Sequence, residues 1–166
     1  MDPSFDPSDL ILTHLDGLVQ DVDDPYLKSR YVGFVSVVAV TTFETNIRER
    51  MVYFASKKNS VFGSFTAAVF LKTNAKVRLD DIRKEYLGRF GEKYLLRFKR
   101  KIDALEKRSL RNGEGSIKNS YANLIQWRHD FVHDGRLPEY ATYDEARKAY
   151  DIGKRVVVAF FESLRR

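Results

Sequence analysis

Tyr121-Ala-Asn-Leu-Ile-Gln-Trp-Arg-His-Asp-Phe-Val-His-Asp-Gly135 is the stretch on which the fold turns. With Ile117 before it, positions 117, 121, 124, 128 and 131 follow the 4-3-4-3 spacing of a helix face turned to a core. A helix is therefore expected from Ser116 to Asp134, stopped by Gly135. One residue breaks the face: Arg128 stands where an apolar side chain belongs. A guanidinium there must pair with an anion or line a wet cleft, because burying it alone is prohibitive. His129 and His133 share an adjoining face, four residues apart. Arg128 and His133 are about 140° apart on an ideal helix. Both can border one cleft where the chain departs at Asp134-Gly135, especially with a second chain as the other wall.

The same periodicity extends in both directions. A first helix is expected from about Ser8 to Val19, capped by Asp6 or Ser8, with Leu10, Ile11, Leu15 and Leu18 inward. Pro25 opens a long second helix reaching about Lys57. Its expected core faces hold Phe34, Val37, Val38, Thr41, Phe43, Ile47, Met51 and Phe54. Residues 60–72 read as a short helix with Phe62, Phe65, Val69 and Phe70 inward. Leu79 to Phe90 and Glu92 to Arg108 read as two helices, or one broken at Gly91, with Ile82, Tyr86, Leu95, Phe98, Ile102 and Leu105 inside. Thr142 caps the last helix, and Glu145 completes a capping box. Val156 to Phe161 is β-branched and aromatic, but the preceding pattern favours helix. The expected fold class is all-α: one helical-bundle domain over 1–166, with 72–115 as a basic elaboration.

Composition narrows the chemistry. Apolar residues make up 43 %, enough to fill a core and to argue against disorder. No cysteine is present, which excludes disulfides, thiolate-bound metals and a thiol nucleophile. No apolar run approaches the ~20 residues of a membrane span, and the start has neither the basic nor the apolar region of a signal peptide. A soluble, cytoplasmic protein is expected. The net charge of +6 is unevenly spread. Residues 1–25 carry −7 and residues 76–112 carry +7, so a polyanion such as nucleic acid is the expected partner. The plainer reading of the basic run is a solvated helix face. The acidic head, Asp2 to Asp24, is expected to pack on the basic middle or shield it.

A second anomaly lies on the long helix. The series 34, 37, 41, 44, 48, 51 and 55 reads Phe, Val, Thr, Glu, Arg, Met and Ala. Glu44 and Arg48 interrupt it as an i,i+4 pair in the favourable order. They are either a helix-surface pair or a group in which Glu44 neutralises or orients Arg128.

The Arg128-x4-His133 pattern, its polar residue His129, the downstream Gly135 and the Glu44-x3-Arg48 pair together resemble the HEPN superfamily of small all-helical domains. The likeness is greatest to its RiboL-PSP-HEPN and MAE-type groups. That resemblance implies a homodimer whose two motifs meet in a composite cleft. It implies a metal-independent endoribonuclease of a prokaryotic defence or toxin–antitoxin system, with no cofactor and with an antitoxin or sensor as a further partner. It also implies that Arg128 and His133 are catalytic, with His129, Glu44 and Arg48 auxiliary.

The residue types suit that chemistry. RNA carries its own nucleophile, the 2′-OH, so cleavage needs a base, an acid and positive charge on the phosphorus centre. Histidine titrates near neutrality, and arginine offers a bidentate fork to phosphate oxygens. Tyr121 either stacks a base or packs, and packing is the expected role. Three other readings compete. A non-catalytic HEPN module would bind nucleic acid, nucleotide or a partner protein. His129-Asp-Phe-Val-His133 resembles a zinc-binding H-E-x-x-H with Asp for Glu. Asp130 is a methylene short for that role, the only other histidine is the distant His14, and Arg128 would repel the cation. A helix-turn-helix binder lacks a compact recognition helix with its turn.

Overall fold

A computed structural model describes residues 2–72, 76–136 and 141–165, with the backbone alone at 71 and 72. All the regular structure among them is helical. Seven helices follow in order: α1 (Asp6–Gln20), α2 (Pro25–Ser56), α3 (Ser60–Lys72), α4 (79–90), α5 (Glu92–Arg111), α6 (Ile117–His133) and α7 (Tyr143–Ser163). The expected all-α bundle is what forms. No helix among the described residues is long and apolar enough to cross a membrane.

The helix ends follow from local chemistry. Asp24 accepts from the Tyr26 N–H at 2.8 Å and caps α2, with Pro25 next. Ser116 caps α6. Thr142 and Glu145 close a reciprocal capping box at the start of α7, which remains helical through Val156 to Phe161. Gly91 separates α4 from α5. Within α4 the turns from Ile82 to Leu87 widen to π geometry, which the sequence pattern does not announce.

The helices α2, α6 and α7 pack on one another around the core. Phe43 stacks on Tyr121 at 5.2 Å and on Tyr150 at 6.1 Å, so one ring from each helix meets at the centre. Tyr121 is fully buried, and its hydroxyl donates to the Val77 carbonyl at 2.8 Å. Its expected packing role is the one observed. Ile82, Phe98 and Ile102 are buried as expected, and Tyr86, Leu95 and Leu105 are half-buried.

Several inward faces are corrected. In α1 the buried positions are Ser8, Leu12 and Val19, while Leu10, Ile11 and Leu18 are exposed. The reason is polar: Ser8 Oγ donates to the Phe5 carbonyl and meets Tyr150 Oη at 2.6 Å, which turns that edge toward α7. The cap is Phe5, through its backbone, rather than Asp6 or Ser8. In α2, Phe43, Ile47, Met51 and Phe54 are buried, Val37 and Val38 are half-buried, and Phe34 and Thr41 are exposed. This helix is apolar on two sides, and the bundle covers the side of Phe43. In α3 only Phe70 of the four expected aromatic or aliphatic residues is buried; Phe62, Phe65 and Val69 are exposed. Gly63 and Thr66 face α2 instead, because a Cβ on Gly63 would lie 2.1 Å from Ser56 Oγ.

The acidic head divides: Asp2 lines a concavity with Arg50, Lys57 and Lys58 of the basic middle, whereas Asp9 and Asp16 of α1 pair with α7 instead. Asp9 accepts from Lys154 Nζ at 2.6 Å and from Tyr150 Oη at 2.7 Å. Asp16 accepts Arg147 Nε at 2.8 Å and Nη2 at 3.1 Å, and Tyr143 Oη at 2.5 Å. Helix α1, which packs on α2, is thus tied by its side chains to α7, which offers a row of cations that the charge sums concealed.

Candidate functional site

The face of interest is built by α2 and α6. Near their ends the two helices approach so closely that a Cβ on Gly33 would lie 2.3 Å from the Phe131 ring. This contact fixes α6 two residues before His133. Gly135 follows in the left-handed region at φ 62°, and the Arg136 N–H returns to the Asp130 carbonyl at 3.1 Å. The chain therefore leaves just past His133, as the Gly135 stop requires.

Arg128 is half-buried on α6, between buried Leu124 and half-buried Phe131. It lies in the electrostatic reach of Glu44 on α2, and so does Arg48. No ion pair within 4 Å links Glu44 to either arginine among the described residues. Burial pushes the Glu44 carboxyl above its ordinary range, and Arg128 and Arg48 only partly oppose this. Arg48 itself is exposed. The three residues form one charged neighbourhood on the outer edge of the α2–α6 contact. Tyr86, from the π segment of α4, stands close enough for Glu44 to act on it; burial chiefly pushes its hydroxyl up to about 12.

His129 and His133 are both exposed, with ring centroids 4.9 Å apart. Within the single chain no hydrogen bond links either imidazole to Arg128 among the described residues. Phe34 packs on Phe131 at 5.7 Å while remaining 52 % exposed, and Val132 beside His133 is 48 % exposed. The histidines and Arg128 thus border an open surface with an uncovered apolar rim. The arrangement offers one arginine for an anion and two imidazoles for proton transfer. His14 is exposed on α1, and no cluster of three or more His, Asp or Glu suited to a metal occurs among the described residues.

Two contributors escaped sequence reasoning. Gly33 gives no local signal, because its constraint comes from a residue 98 positions later. The π turns of α4 carry Tyr86, which packs on Phe70 of α3 at 5.3 Å, without any change in composition. Tyr121, Ile125 and Gln126 of α6, with Arg78 just before α4 and Arg83 within it, line a groove of about 410 Å³.

A family model described as RiboL-PSP-HEPN matches residues 6–166. No curated protein and no solved structure matches the chain.

Proposed function

The chain belongs to the RiboL-PSP-HEPN family, and from that premise we propose that it is a metal-independent endoribonuclease acting through Arg128 and His133. The observation that supports this most is the half-buried Arg128 on an open face beside Glu44, with His133 exposed at the end of the same helix. A structural arginine so placed would close an ion pair; none within 4 Å forms among the described residues.

The reading assigns each group a step. The Arg128 guanidinium holds the non-bridging oxygens of the scissile phosphate and offsets charge in the transition state. An imidazole takes the 2′-OH proton as the 2′-oxygen bonds to phosphorus. The P–O5′ bond breaks, and an imidazolium protonates the leaving oxygen. The products are a 2′,3′-cyclic phosphate and a 5′-hydroxyl. His133 is the proton-transfer group, and His129 positions it or the substrate. Glu44 orients Arg128, and Arg48 shares its charge.

A homodimer completes the reading. Arg128 and His133 lie about 140° apart on one helix, so a second copy facing the Phe34–Val132 rim supplies the opposite wall. The two copies of His133 then serve as base and acid. The family resemblance also supports a defence or toxin–antitoxin setting with a restraining partner protein.

The test is cleavage of total cellular RNA by the purified protein in EDTA, beside His133→Ala and Arg128→Ala with matched circular dichroism. Cleavage by the unsubstituted chain alone, leaving cyclic-phosphate ends, is expected. A folded dimer that cuts no RNA would favour a non-catalytic binding module. Activity that disappears in EDTA would overturn metal independence.

A further inference from the structure

A second surface carries charge of its own. On α5, Lys93, Arg97, Arg100, Lys107, Arg108 and Arg111 fall within an arc of about 100° at the helical repeat. The arc faces away from buried Tyr94, Phe98 and Ile102. It runs from Lys93 to Arg111, about 27 Å at ~1.5 Å per residue. Helix faces normally intersperse signs, and like charges at i,i+3 or i,i+4 cost stability. Here Lys93/Arg97, Arg97/Arg100, Lys107/Arg111 and Arg108/Arg111 all stand at such spacings. Two of the three acids on the helix are turned away: Asp103 pairs with Lys118 at 2.6 Å, and Glu106 accepts from Ser116 Oγ and the Lys118 N–H. None of the six arc cations has a carboxylate within 4 Å among the described residues.

The arc continues beyond α5. Arg97 and Arg100 line one concavity with Lys101 and Arg165, of about 560 Å³. Arg165 also lines a second, of the same volume, with Lys57, Lys58, Tyr53 and the buried Arg50. The Arg97 guanidinium donates to the Arg165 carbonyl at 2.9 Å, which pins the junction. Glu162, paired with Lys101, and Asp2, paired with Arg165, are the carboxylates that line these concavities. Lys57 lies nine residues beyond Arg48 on the α2 line, about 180° around the axis. No cation of the band is among those that act on Glu44, which are Arg128 and Arg48.

We propose that the outer face of α5 and the Arg165–Lys57–Lys58 corner form one continuous phosphate-binding band for the backbone of long RNA, separate from the Arg128–His133 face. Phosphate binding by the band stands whether or not that face cleaves. Charge without base-reading geometry selects a polyanion backbone rather than a sequence. An anionic membrane fits less well, because a surface-bound helix must insert its apolar face. That of α5 is occupied by the bundle. On the proposed cleavage reading, on which the choice of RNA rests, a substrate engaging both surfaces must be long or folded.

The test uses the full chain and a long 2′-O-methyl RNA, which lacks the nucleophile and so reports binding without cleavage. Affinity is measured against salt for the unsubstituted protein, for Arg100→Gln/Lys107→Gln/Arg111→Gln, and for Lys57→Gln/Lys58→Gln. Each lost phosphate contact should lower the log–log salt slope by about 0.7, giving drops of about 2 and about 1.4. Circular dichroism and melting temperature should be unchanged. Slopes unchanged in both variants would overturn the proposal, and a drop in the α5 variant alone would overturn its continuity with the corner. Binding to phosphatidylcholine–phosphatidylserine vesicles that the α5 variant loses, with RNA affinity intact, would assign the face to membranes instead.

Discussion

Phe131 lies so close over Gly33 that a Cβ there would fall 2.3 Å from its ring. The contact ties α2 to the end of α6 that carries His133. Gly33→Ala must displace Phe131 or part the helices. Overpacking of this kind costs ~1–3 kcal/mol, against a gain of up to ~1 kcal/mol in helix propensity. Denaturant unfolding should show net destabilisation. Cleavage should fall by more than the folded fraction does, because His133 moves with Phe131.

Glu44 gives a prediction with a definite sign. Its carboxyl is held above its ordinary range by burial. The folded state therefore binds this proton more tightly than the unfolded chain. The stability it contributes is full below the unfolded value near pH 4 and is lost as pH rises through the folded value. Glu44→Gln should stabilise the protein at pH 7, by less than about 1 kcal/mol given partial solvent screening. The gain should vanish near pH 4. On the proposed reading the same change lowers cleavage, since Arg128 loses its orienting charge.

These predictions rest on features of unequal legibility. The anomaly at Arg128 was visible because its neighbours Tyr121, Leu124 and Phe131 repeat at helical spacing. Ser116, Gly135 and the Thr142–Glu145 box were visible because capping is a local interaction. Burial faces were harder wherever a helix is apolar on two sides, as at Phe34 and Phe43 of α2 or Phe65 and Phe70 of α3. Local pattern cannot say which side a neighbour covers. Ser8 shows the converse: a hydroxyl was buried because Tyr150, 142 residues away, offers it a partner. The shared neighbourhood of Glu44 and Arg128 was suggested by two pattern breaks, but its lack of a close ion pair depends on tertiary placement.

The exposed apolar rim tests the dimer. Phe34 and Val132 flank the histidine end of α6, each about half exposed. If a second copy covers them, Phe34→Asp places a charge in an apolar interface. Dimerisation should weaken at least tenfold, on the order of the ~1.4 kcal/mol that separates a tenfold change in affinity. Sedimentation should show monomer at concentrations where the unsubstituted chain is dimeric, and cleavage should fall with the dimer. A monomer that retains full activity would place both walls of the site within one chain.

Acid should loosen α1 before the rest of the bundle. Burial pushes the Asp16 carboxyl up, but the hydrogen bonds from Arg147 and Tyr143 outweigh it and hold it below its ordinary value. Asp9 follows the same pattern, with Lys154 and Tyr150 as the opposing donors. A depressed carboxyl stabilises the fold above its unfolded value, and the contribution is lost as pH falls through the folded value. The window lies below roughly pH 4. Asp16→Asn keeps the shape and removes the charge from a bidentate contact. It should lower the melting temperature at pH 7 by roughly 2–8 °C, from ~1–2 kcal/mol in a chain of this size. The difference from the unsubstituted protein should persist at pH 5 and shrink as pH falls below about 4, as measured by melting curves across that range. Amide exchange in α1 should rise first on acidification, because these two carboxylates tie α1 to α7. A constant offset at every pH would mean that the asparagine perturbs packing and that the Asp16 charge contributes nothing.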